Sequence, residues 1–445
     1  MSDWLRELEW NALAYAIVAG LALVGLVALW LFVPAVRRAW LPMPRLRPGA
    51  WSGLEVFLTL CIMQGFPVLI VGTLLSLRVF AALFGPEPTA DAPIAELGMY
   101  QLRCYNVSSP LILTVCLGMI LIALHARTLT RPQQFGLTWA RWPANVALAL
   151  VGFIVVVPLV LGLHVPLALV FPGRPHPLIT LGKGTLEEWE WMFLAFQSVV
   201  AAPLLEEVVF RGVFQGWLRR ATLQGHVTVC VATLFYGGSG LLFFLSAVVA
   251  DTLGLGTMTT TPEWLDLTYP FVFSLALVAG YAFSLRKMAR KFELSEMEMQ
   301  AWYVQPAAGS LEATEHLTEE QARERRLKIR DEDEKRQRQW AEANANLAIL
   351  GSAMFFAVAH SAAWPAPFAL LFFGLVLGWL AKRTQSLVAP IALHALFNLV
   401  AFIALYGTVL SAPPANGNAE TTAARPSVFG STTNSVPGSQ LPLRK

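Results

Sequence analysis

Charge is what this sequence has least of. Of 445 residues only 14% are Asp, Glu, Lys or Arg, against roughly 25% in a soluble domain. That deficit excludes a soluble enzyme, a disordered chain and a nucleic-acid binder, all of which need solvated charge. The net charge of +3 is too small to build a surface for phosphates. Cysteine is scarce as well: Cys61, Cys104, Cys116 and Cys230 are scattered without a CxxC spacing, so neither a disulfide framework nor a thiolate metal site is indicated. No internal repeat is visible. Apolar residues, by contrast, make up 56% of the chain, with a mean hydropathy of +0.56. The composition describes an all-α, polytopic membrane protein whose partner is the lipid bilayer.

A bilayer core of roughly 30 Å takes about 20 apolar residues per helix. By that measure the sequence predicts about ten spans, near 11–34, 54–83, 108–125, 144–168, 191–217, 227–249, 268–285, 347–363, 367–381 and 387–407. The first is too long for a signal-peptide core and no small-residue cleavage site follows it, so it reads as an anchor. Alternate loops hold 23 Lys and Arg, twelve of them in 286–345, while the opposite loops and both termini hold seven. The asymmetry places the basic loops in the cytosol and both termini outside, in a membrane expected to be the bacterial plasma membrane. Residues 319–338, dense in both charge signs and free of Gly and Pro, read as a solvated helix laced with i,i+4 ion pairs. Residues 408–445 form the expected disordered tail, rich from 412 onward in Ser, Thr, Asn, Gly and Pro. Asn106-Val-Ser108 is a glycosylation sequon on the expected outer side, of consequence only in a eukaryotic secretory membrane, which no targeting signal indicates.

An ionisable group inside a span costs at least ~2.5 kcal/mol, so each marks a functional hypothesis. The clearest lie in Pro203-Leu-Leu-Glu206-Glu207-Val-Val-Phe210-Arg211-Gly212, in Phe356-Ala-Val-Ala-His360 and in His394-Ala-Leu-Phe-Asn398. Glu207 and Arg211 stand i,i+4 and share a helix face, so they can neutralise each other, whereas Glu206 points elsewhere without a local partner. His394 and Asn398 are likewise one turn apart, and Phe356 lies one turn before His360 on the same face. Counting ~1.5 Å per residue from the charged boundaries puts Glu206, His360 and His394 inside the bilayer, where three helices can bring them together. A lone membrane histidine is usually an interhelical hydrogen-bonder and a lone Glu–Arg pair a clamp. Independent clamps, however, need not leave one Glu and two His unpaired within the membrane. Such a set can bind Zn²⁺ with an open fourth position or activate water without a metal.

Glu-Glu-x-x-x-Arg, Phe-x-x-x-His and His-x-x-x-Asn, in that order on membrane helices, resemble the CPBP family of intramembrane proteases, which contains type II CAAX prenyl endopeptidases and bacteriocin-immunity proteins. Ala202-Pro203 and Phe210-Arg211-Gly212 extend the likeness, which covers about 190–407; residues 1–189 are compatible N-terminal spans. The resemblance implies an all-helical membrane fold that hydrolyses a peptide bond of a membrane-anchored protein or peptide. Glu206 would activate water, and His360, His394 and Asn398 would bind metal or stabilise the oxyanion. Zinc, held by Glu206, His360 and His394, is the cofactor that one version of this mechanism requires. One departure stands out. Between Arg211 and His360 lie 148 residues, so 226–345 reads as an insertion of two spans plus the charged segment 286–345. Two other readings use the same residues differently. A transporter or a non-catalytic immunity scaffold would bind through the same buried polar groups. Gly237-Gly238-Ser239-Gly240 is similar to the serine motif of rhomboid proteases, although Gly and Ser are also common at close helix contacts. His125, His164, His176, His226 and His316 fall at span ends or in loops and receive no role.

Overall fold

Backbone polar groups in lipid must be satisfied within their own segment, which favours long apolar helices. A computed structural model describes residues 51–88, 94–171, 186–221, 223–252, 264–292 and 319–411. Among these described residues are nine helices long and apolar enough to cross a membrane, and no strand. They are α1 Gly53–Ser76, α2 Ile94–Thr128, α3 Trp142–Val170, α4 Glu188–Leu218, α5 Leu223–Thr252, α6 Trp264–Phe292, α7 Glu319–Ala359, α8 Ala366–Thr384 and α9 Val388–Ser411. The protein is thus a polytopic all-α membrane protein. The nine helices match the last nine expected spans; 11–34 and the tail from 412 lie outside the described residues. Large apolar side chains cover the outer surface, with Ile154 and Phe283 68% and 69% exposed, as a lipid-facing surface requires.

Ion pairs tie the first helices together. Ser52 and Glu55 form a capping box at the start of α1, and Glu55 also accepts from Arg127 near the end of α2 at 2.8 Å. Farther along, Arg103 of α2 grips Glu190 of α4 with two bonds of 2.6 and 2.7 Å. The expected span 108–125 places Arg103 in the loop before it. Arg103 lies inside α2 because a fully buried carboxylate on the neighbouring helix neutralises it. The sequon reading is corrected too. Asn106 is 1% exposed and donates to the Glu190 carbonyl at 3.1 Å, so its amide is packed between helices.

The centre of the bundle is built on small residues. α7 and α8 form a hairpin whose turn begins at His360. A Cβ on Gly374 of α8 would stand 3.2 Å from Ala353 of α7 and 3.3 Å from Arg211, and one on Gly378 would stand 2.8 Å from Gln215. Two glycines four residues apart therefore let α4 and α7 approach the backbone of α8 closely, the usual route to tight helix association in lipid. Gln215 uses the closeness to donate to the Gly378 carbonyl at 3.0 Å, and Arg211 lies 3.5 Å from that of Gly374. Beyond the turn, Trp364 stacks on Tyr269 of α6 at 5.6 Å and meets Phe273 edge-on. α6 thereby braces the segment that follows His360. The charged run 319–338 and the span that carries Phe356 belong to one uninterrupted helix, α7.

Candidate active site

α4 is not a regular α-helix. Phe196–Ala201 and Val208–Phe214 are π-helical turns, and the Ala202 N–H reaches back five residues to the Gln197 carbonyl. Between them, the α-helical stretch Ala202–Glu207 carries Pro203 and both glutamates. Wide turns of this kind are rare and concentrate at functional sites. Ser352 of α7 donates to the Phe210 carbonyl in the second wide turn at 2.9 Å, and Asn398 of α9 donates to the Ser198 carbonyl in the first at 2.8 Å.

The two glutamates face different surroundings, as their spacing predicts. Glu207 is wholly buried, with Arg211 Nη1 3.2 Å from its Oε1. The Arg211 guanidinium also lies 4.3 Å over the ring of Phe356, an arrangement that suits a cation removed from water. A second partner was not legible from spacing: His394 Nδ1 lies 2.9 Å from the same Glu207 oxygen. His394 is held edge-on between Phe356 and Phe373. His360 Nδ1 lies 2.8 Å from the Phe356 carbonyl, and its ring packs on that of Phe356 at 4.7 Å. A carbonyl only accepts and the Glu207 carboxylate is an acceptor, so both Nδ1 atoms carry protons and both Nε2 atoms are turned to the remaining group.

That remaining group is Glu206. Its Oε2 lies 3.9 Å from His360 Nε2 and 4.0 Å from His394 Nε2, and this buried oxygen has no hydrogen-bond partner. Neither separation is a hydrogen bond, but both suit a single atom placed about 2.8 Å from each group. The Glu206 and His360 side chains are 21% and 28% exposed, although the Glu206 Oε2 atom that faces both rings is itself buried. The structure thus brings Glu206, His360 and His394 together, with Glu207, Arg211 and Phe356 behind them. Asn398 lies on the same face of α9 as His394, with its amide turned to the backbone of α4.

One carboxylate and two imidazoles fixed at Nδ1 are the right donor types for zinc. The spacing is not right. Ligands about 2.0–2.1 Å from a tetrahedral metal lie about 3.3 Å apart, and Glu206 Oε2 is wider than that from both nitrogens. Among the described residues no group of three His, Cys, Asp or Glu side chains is arranged to hold a metal ion.

Ser239 stands apart from this constellation. It is exposed on α5 and donates to the Tyr236 carbonyl of its own helix at 2.7 Å. A Cβ on the neighbouring Gly237 would collide with Ser274 Oγ of α6, so a close helix crossing accounts for this glycine. His226, given no role from sequence, is 2% exposed. It links Tyr281 at 2.6 Å and Asn344 at 3.1 Å, while Asn344 donates to the Arg219 carbonyl just past α4 at 2.9 Å. Its nearness to the Arg219-Arg220 boundary made it look like an interfacial residue.

Comparison with known families points the same way. Residues 188–288 and 335–400 match the family model of the Rce1-like type II CAAX prenyl endopeptidases. The resemblance to the CPBP family of intramembrane proteases is thereby borne out, and Glu206, Glu207, Arg211, His360, His394 and Asn398 all fall within the matched residues. The match runs through all of α5 and most of α6 and resumes at 335, leaving 289–334 unmatched. No curated protein and no solved structure matches the chain significantly. The matched region supports a membrane-embedded peptidase acting on a peptide substrate.

Proposed function

We propose that this protein is an intramembrane endopeptidase for a membrane-associated or CAAX-type substrate, with Glu206 as the base that activates water. The observation that supports this most is the convergence of Glu206 Oε2 on the two imidazole nitrogens. A water at their meeting point gives one proton to Glu206 and directs the other toward His360 Nε2, leaving a lone pair for the scissile carbonyl carbon. His394, when its Nε2 carries a proton, donates to the developing oxyanion, and Glu207 behind its Nδ1 balances the charge. Glu206 then passes its proton to the leaving amide nitrogen as the carbon–nitrogen bond breaks. No step is routed through a metal. The basic loops face the cytosol in this reading, and the membrane is a bacterial plasma membrane.

The test is Glu206→Gln in purified protein, with a prenylated peptide ending in a CAAX sequence as substrate. Loss of a general base typically lowers turnover ~10²–10⁴-fold, and thermal stability should hold or rise, since a buried carboxylate without a partner is removed. Cleavage that survives the substitution refutes the assignment. Peptide binding without turnover in the unaltered protein favours the scaffold reading.

A further inference from the structure

We infer that Pro203 and Asn398 are a matched pair, in which the Asn398 amide replaces the backbone donor that Pro203 lacks, and that Asn398 acts as a positioning residue for Glu206. In the first wide turn of α4 the Ala202 N–H bonds to the carbonyl five residues back, that of Gln197. One step further in the same register, the N–H of residue 203 would bond to the carbonyl of Ser198. Proline has no N–H, so that bond cannot be made from within α4. The carbonyl left over is the one that receives Asn398 Nδ2, at 2.8 Å. Ser198 is 8% exposed, so its carbonyl has little access to solvent. A buried carbonyl without a donor is expensive, and in lipid more so.

The consequence for the chemistry is geometric. Glu206 follows Pro203 by three residues, so the direction of its side chain depends on whether the preceding turn is wide or regular. Each residue of a regular helix turns by about 100°, and a turn that relaxed from five-residue to four-residue bonding would swing Glu206 away from His360 and His394. Proline biases the turn against ordinary bonding, and Asn398, one helical turn after His394 on α9, holds the wide form in place. The same helix face thus supplies an imidazole to the site and an amide to the backbone that aims its partner. This rests on the endopeptidase reading for its kinetic consequence only; the hydrogen-bond exchange stands without it.

The experiment is a double-mutant cycle with Asn398→Leu and Pro203→Ala, reading melting temperature in detergent together with kcat and KM on a prenylated CAAX peptide. Asn398→Leu alone should lower the melting temperature and reduce kcat at least tenfold while KM changes little. In the Pro203→Ala background the backbone regains a donor, so the same replacement should cost far less in both readouts. Asn398→Asp, which keeps the size and loses the donor, should follow Asn398→Leu. Recovery of folded protein by Pro203→Ala, where Asn398→Leu alone fails to fold, supports the pair equally. An equal loss in both backgrounds overturns the inference, because an amide aimed at the substrate would be indifferent to residue 203. If the unaltered protein cleaves nothing, the endopeptidase reading fails, and the melting temperatures still decide the pairing.

Discussion

Glu207→Gln gives the sharpest test of the division between the two glutamates. The substitution removes the negative charge that faces Arg211 Nη1 at 3.2 Å, where both side chains are fully buried. Leaving one partner of a buried pair uncompensated typically costs 3–5 kcal/mol. Two features of the site reduce that figure. The Arg211 guanidinium keeps its place over Phe356 at 4.3 Å, and the glutamine oxygen can still accept one hydrogen bond. The cost should therefore sit at the lower end, about 3 kcal/mol, which lowers the melting temperature on the order of 5 °C in a protein of this size. Arg211→Met should cost a similar amount, since it strands the carboxylate instead. The double replacement removes both charges and should recover part of the loss.

Activity should not recover with it. His394 Nδ1 has Glu207 as its hydrogen-bond partner at 2.9 Å, and a neutral glutamine does not balance charge on that ring. Turnover in the double variant should remain at least tenfold below that of the unaltered protein, the scale on which losing such an orienting partner is felt. Melting curves and peptide cleavage on the two single variants and the double variant supply the measurement. The reasoning is refuted if Glu207→Gln leaves the melting temperature unchanged, or if the double replacement restores stability and turnover together.

Two further outcomes follow from the geometry. Because Glu206 Oε2 and the two imidazole nitrogens are spaced too widely for a zinc tetrahedron, prolonged dialysis against a zinc chelator should leave peptide cleavage unchanged; activity lost on chelation and regained with Zn²⁺ would contradict the metal-free reading. From the distribution of Lys and Arg, a tag placed within 310–340 should be protected in intact cells and a C-terminal tag accessible, and the reverse pattern would invert the topology.

Much of the site was legible because helix periodicity is a local property. Glu207 and Arg211 are one turn apart in sequence and are paired in the fold. The different surroundings of the adjacent glutamates followed from the ~100° between neighbouring side chains. The convergence was legible for a related reason: charged boundaries mark where spans begin, and a rise of ~1.5 Å per residue puts Glu206, His360 and His394 at similar heights on helices that the fold brings together. The all-α membrane fold was legible from the shortage of charge alone. What sequence did not reveal were contacts between helices far apart in the chain. The bond from His394 to Glu207 joins positions 187 apart, and the one from Arg103 to Glu190 joins positions 87 apart; neither leaves a periodic trace. Arg103 and Asn106 were misplaced because a hydropathy count charges each polar residue as if it faced lipid, whereas each of these has a partner on α4.

The wide turns of α4 were hidden for a different reason. Their signal lies in which carbonyl each N–H chooses, and side-chain pattern reports that choice only at proline. Pro203 was read as part of a family motif, yet its physical meaning lies in the atom it lacks. The same lack connects it to Asn398 two hundred residues from Ser198, across a distance no spacing rule covers. The amide that the family resemblance assigns to the reacting atoms is, in the fold, hydrogen-bonded to the α4 backbone a few residues before Glu206. Under the proposed pairing a motif residue serves the site through the backbone, and the double-mutant cycle with Pro203, rather than its place in the motif, separates that role from one at the substrate.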